Sequence, residues 1–146
     1  MEQVRHDLEV VSGARVFFGH HSVGFNILDG VRRLADKAGV PLRIEKVDVP
    51  GPVPEGPGLF HGVVGENLDP QGKIDAFAEA LGTPGETRYD LATVKLCYVD
   101  LDEDSKERDP RRLFDRYVTG MEAIKAAHPD VTILHATMPL RAEPPG

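Results

Sequence analysis

Apolar residues along the chain fall into short unbroken runs, separated by stretches in which they recur every three or four positions. The first run, Val16-Phe17-Phe18-Gly19, is too short to alternate and is apolar throughout, as in a strand covered on both faces. From Ser22 onward, Val23, Ile27, Leu28, Val31, Leu34, Ala35 and Ala38 keep helical spacing until Gly39 and Pro41 stop it. Leu42 to Val49 alternates with a change of phase near Lys46, which predicts a half-exposed edge strand carrying a bulge. Residues 50–70 are dense in proline and glycine and read as one long irregular loop. Asp69-Pro70 leads into a short helix from Lys73 to Leu81, and Leu91 to Val99 reads as a buried central strand. Asp109-Pro110 places an N-cap before a proline at the first helical position, and the stripe Leu113, Phe114, Tyr117, Val118, Met121 and Ile124 follows. Val131 to Ala136 is a fourth apolar strand. The succession βαβ, loop, αβαβ predicts an α/β fold that is flavodoxin-like, with three αβα layers and a mostly parallel sheet. Its four strands, counted along the chain, are expected in the order 2-1-3-4.

Composition narrows the partners. A chain of 146 residues is expected to form a single domain, residues 1–146, large enough to bury a core. Its net charge of -7 and sequence pI near 5.3, without a basic stripe, argue against nucleic acid and anionic membranes, both of which reward clustered Lys and Arg. A lone cysteine, Cys97, leaves no internal disulfide to form and no cysteine-based zinc site. The segment Met1 to Asp7 is polar and lacks the apolar centre of a signal peptide, and no run approaches the ~18 apolar residues of a membrane span. A cytoplasmic location is therefore the default expectation, with the extracytoplasmic one open. The last strand-like run closes in Ala142-Glu143-Pro144-Pro145-Gly146, so the chain is expected to be either naturally short or C-terminally incomplete.

Candidate chemistry gathers where the first strand meets the first helix. Open parallel sheets bind ligands at the carboxyl ends of their strands, where helix N-termini offer free N–H groups. Ser22 occupies that turn, and two readings stand: an N-cap for the helix, or a nucleophile whose own N–H helps hold an oxyanion. Of His20 and His21, one is expected to bond the turn and the other to face the site. Gly65 and Asn67, in the proline-rich loop, can donate to an oxyanion or simply make a turn. Asn26, one helical turn past Ser22, lines the site or faces water. Asp100 is expected on the crevice side, binding substrate, orienting a histidine or capping the charged loop that follows. Lys95, inside an apolar run, must snorkel, pair or be desolvated, with pairing to an acid on a covering helix the favoured option, and Cys97 is expected to be a small buried hydrophobe. The spacing of His20, His21, His61 and His135 matches no metal-binding pattern, and neither a metal nor an organic cofactor is expected.

Three segments carry a family resemblance: Phe17-Phe18-Gly19-His20-His21-Ser22-Val23-Gly24, Val64-Gly65-Glu66-Asn67, and Lys95-Leu96-Cys97-Tyr98-Val99-Asp100. Together they resemble the SGNH/GDSL hydrolases, in particular a bacterial branch with a His-x-Ser-Val-Gly motif. The resemblance implies a flavodoxin-like fold and hydrolysis of esters, often of lipids or acetylated sugars. It implies Ser22 as nucleophile and Gly65 as second oxyanion donor. The family's Gly-x-Asn-Asp block is replaced here by Cys97-Tyr98-Val99-Asp100, which leaves Asn67 as a substitute donor. Its closing strand and Asp-x-x-His block, the source of the general base, have no counterpart in these residues. A small-molecule ester is the implied partner. The alternative is a non-catalytic module that binds a small anion at the Ser22 turn, and a homo-oligomer joined through exposed sheet edges is a further expectation.

Overall fold

The computed structural model describes residues 1–138. Five parallel strands, β1 (Arg15–His20), β2 (Ile44–Lys46), β3 (Gly58–Val63), β4 (Leu91–Val94) and β5 (Thr132–His135), form one sheet in the order β2-β3-β1-β4-β5. Helices α1 (Glu2–Gly13) and α2 (Ser22–Ala38) cover one face; α3 (Pro70–Leu81) and α4 (Pro110–Ala127) cover the other. The fold is the expected flavodoxin-like α/β sandwich.

Alternation along the strands divides the core. Phe17, Phe60, Val64, Ala92 and Val94 point towards α3 and α4, where they meet Ile74, Phe77, Leu81, Met121 and Ile124. Val16, Phe18 and Leu59 point the other way, onto Leu28 of α2. Phe17 is fully buried, with its ring 5.1 Å from Tyr89 and 6.1 Å from Phe77 between centroids.

Two elements escape the sequence pattern. β3 lies inside the stretch read as irregular, because Gly58 and Gly62 bracket too few residues to show a period. It inserts between the first two predicted strands, and the remaining order is as expected. α1 arises from the polar N-terminus through Val4, Leu8 and Val11, a narrow stripe packed on α2 and the sheet beside it. The alternating segment forms a regular ladder only over Ile44–Lys46, and the central strand ends at Val94 instead of Val99, giving way to a 3₁₀ turn at Tyr98–Leu101. No described helix is long and apolar enough to cross a membrane.

Candidate functional site

β1 delivers the chain to the carboxyl rim and α2 starts two residues later. His21 is the N-cap (φ -124°, ψ -157°) and makes no side-chain cap bond, while Ser22 is already helical. The N-cap reading of Ser22 is therefore overturned. Its side chain is exposed, and its hydroxyl has no hydrogen-bond partner among the described residues. The N–H groups of Ser22 and Val23 lie in the first turn, where a helix has no acceptor to offer them, and the helix dipole adds partial positive charge there.

Gly65 follows β3, the neighbour of β1. His20 pairs with Val63 in the register, so residues 21–22 and 64–65 leave the sheet side by side. The His21 ring ties them together, its Nε2 donating to the Val64 carbonyl at 2.8 Å. Gly65 has φ +57°, and a Cβ there would stand 2.8 Å from the backbone of Gly72 and Lys73, so both conformation and space demand glycine.

Asn67 is exposed, and its Oδ1 accepts from Lys73 Nζ at 3.0 Å. That bond takes the amide oxygen and leaves the NH₂ as the donor the amide can still offer. Lys73 is fully buried, as is Asp100, and the two pair at 2.7 Å through both carboxylate oxygens. Asp100 also accepts from the N–H groups of Leu68 (3.1 Å) and Cys97 (2.8 Å). One carboxylate thus joins α3, the loop after β3 and the end of β4. The expectation that Asp100 faces the crevice is overturned: it has no surface for a substrate. Its charge is satisfied where the loops must be joined.

Of the two histidines, His20 is the one that bonds the turn, which removes it from the site-residue candidates. It is fully buried beneath the first turn of α2, where a Cβ on Gly24 would sit 2.1 Å from its ring. Its Nδ1 contacts the His21 carbonyl at 2.7 Å, and its Nε2 lies 2.9 Å from His61 Nδ1. A carbonyl only accepts, so His20 Nδ1 carries the proton and His20 Nε2 accepts from His61 Nδ1–H. Both rings are neutral in this chain of bonds. Gly24→Ala is expected to cost about 1–3 kcal/mol by overpacking this turn, read as a lowered denaturation midpoint. A wild-type midpoint would show that the ring can move aside freely.

Burial lowers the pKa of all three histidines, and His61, which also faces His20, Arg32 and Lys46, is pushed down to about 4. The sign follows from linkage. Below 6.5 the unfolded chain takes up a proton that folded His61 refuses until about 4, so stability is whole above 6.5 and is lost as pH falls through that window. For His61 alone the slope approaches about 1.4 kcal/mol per pH unit, reaching about 3 kcal/mol in all. Denaturant titrations between pH 7 and pH 5, above the range of ordinary carboxylates, check it. Constant stability over that interval would contradict the buried neutral pair.

Lys95 is 5% exposed, and among the described residues its Nζ bonds only the Leu96 carbonyl, at 3.2 Å. Among the described residues no acid on a covering helix pairs with it, contrary to expectation, and burial lowers its pKa. Asn26 is exposed, and Cys97 is free and buried as expected. His135 lies two strands away from His20, bonded to Tyr117 at 2.9 Å. Among the described residues no group of three or more His, Cys, Asp or Glu side chains is arranged to hold a metal.

Sequence reasoning missed Lys73, and it weighed His61 only as a metal ligand, not as the partner of His20. Their signal was a charged or polar residue on an apolar stripe: Lys73 four positions before Phe77, and His61 within Leu59 to Val64. Comparison with protein-family models, curated proteins and solved structures finds no match. Fold and site together define an α/β sandwich with an exposed serine and a set of hydrogen-bond donors on the carboxyl rim of its sheet.

Proposed function

We propose that the protein is a serine ester hydrolase of the SGNH type, with Ser22 as nucleophile. The observation that carries this reading is the exposed Ser22 hydroxyl, without a partner among the described residues, on the turn that leaves the sheet next to the Gly65 turn; Gly65 is fixed by its glycine-only conformation, and Asn67, two residues on, is anchored by Lys73. Ser22 Oγ attacks the ester carbonyl, and the N–H groups of Ser22 and Gly65 with the Asn67 amide hold the resulting oxyanion. The alcohol leaves with a proton, and water then releases the acid and restores the hydroxyl.

Of the two adjacent histidines, His21 is the one able to take the serine's proton. His20 is buried with both nitrogens engaged, whereas His21 donates through Nε2 and so keeps Nδ1 unprotonated. Its lowered pKa keeps it neutral and able to accept at pH 7.

Hydrolysis of short-chain p-nitrophenyl esters by wild type and by Ser22→Ala tests the reading. Equal rates would remove Ser22 from the chemistry. The same donors favour a second reading, a non-catalytic site for a small anion. Calorimetry with acetate and phosphate separates the two: saturable binding without ester turnover supports the anion site.

A further inference from the structure

A groove of about 380 Å³ runs along the carboxyl rim between the ends of β4 and β5 and the first turns of α4. Its walls include Leu96, Leu101, Leu113 and Phe114, and the Tyr117 hydroxyl and His135 Nδ1 beside them are bonded to each other at 2.9 Å. An apolar cleft of this size is typical of a small-molecule site. Phe114 is 65% exposed, the most exposed large apolar side chain among the described residues. The α4 stripe predicted to be core thus turns one aromatic ring to water at the groove.

None of the residues that line the groove belongs to the Ser22 turn, and strand order sets the distance between the two. Leu96 directly follows Lys95, whose N–H donates to the Gly19 carbonyl of β1 at 3.0 Å, three residues before Ser22. The groove therefore opens one strand away from the nucleophile, on the side opposite Gly65, since β1 lies between β3 and β4. A carbonyl held between Ser22 and Gly65 has its oxygen towards the donors, which leaves the β4 side for one substituent.

We propose that this groove receives the acyl chain of the ester attacked by Ser22, and that the chain is a straight alkyl chain of medium length. Acetyl esters would leave the groove unfilled. The assignment rests on the hydrolase reading, and two measurements keep them apart. In the first, kcat/KM is followed along p-nitrophenyl acetate, butyrate, hexanoate and octanoate. Each methylene taken into the groove should raise it about fourfold. Phe114→Asp, a change at an exposed position, should lower the octanoate-to-acetate ratio about tenfold or more. In the second, calorimetry on Ser22→Ala should detect octanoate and not acetate, with octanoate binding weakened by adding Phe114→Asp.

Ester hydrolysis without dependence on chain length or on Phe114 overturns the groove assignment and leaves the Ser22 reading standing. Octanoate binding without ester hydrolysis overturns the hydrolase reading and keeps the groove as an alkyl-chain site. Failure of both measurements overturns both. A dimer in light scattering that Phe114→Asp dissociates and octanoate does not would give the groove to a second copy of the chain, and would also overturn the assignment.

Discussion

Ser22→Ala is expected to lower the rate of ester hydrolysis by about 10³-fold or more while leaving stability within about 0.5 kcal/mol of wild type. The two halves of this expectation have one cause. The hydroxyl is exposed, caps nothing and bonds nothing among the described residues, so its removal leaves no buried group unsatisfied. Alanine also suits the first turn of a helix at least as well as serine. A serine with no structural task can be lost at no structural cost, and any large loss of rate then belongs to the chemistry. Circular dichroism melts recorded beside the kinetics make the separation. A strongly destabilised Ser22→Ala would show that the hydroxyl is a hidden structural bond, and undiminished hydrolysis would show that it is no nucleophile. The pH profile gives a further check, because His21 must be neutral to accept a proton. With its pKa lowered by burial, activity should persist below 6.5 and fall only in more acid solution.

Lys73→Met is expected to destabilise the fold by about 3–5 kcal/mol, because it leaves Asp100 charged and fully buried without its cation. Thermal denaturation should show a fall of about 10–20 °C. Neutralising the partner as well, in Lys73→Met/Asp100→Asn, should recover part of the loss, since an amide oxygen can still accept from the Leu68 or Cys97 N–H and no charge is stranded. A double variant no more stable than the single one would mean that the ion pair does not act as a unit. Both variants release Asn67 from its anchor, so kcat should fall in each, including the one whose stability is partly restored. That fall separates the positioning of a donor from simple weakening of the fold.

Not all of this was equally legible in the chain. The strand, turn and helix around Ser22 could be read because each depends on neighbours in sequence: an apolar run, a glycine, then a helical stripe. The shared rim of the Ser22 and Gly65 turns was read from the loop after the second predicted strand, but it is the unseen β3, not that strand, that lies beside β1 and makes the two turns neighbours. Asp100 was misread for the opposite reason. A strand-end aspartate looks the same from sequence whether it faces solvent or a lysine 27 residues earlier. His20 was likewise indistinguishable from His21 until a second histidine, 41 residues on, took up its ring nitrogen.

By itself the sequence determined the α/β class, most of the strand order and the exposed serine turn, because periodicity and turn chemistry act over a few residues. Only the tertiary structure decided which polar groups are spent inside the protein and which are left for a ligand. That choice is made by burial and by partners far apart in the chain. Lys73 with Asp100 and His20 with His61 were withdrawn from the surface in this way, and the Ser22 hydroxyl was left without a partner among the described residues.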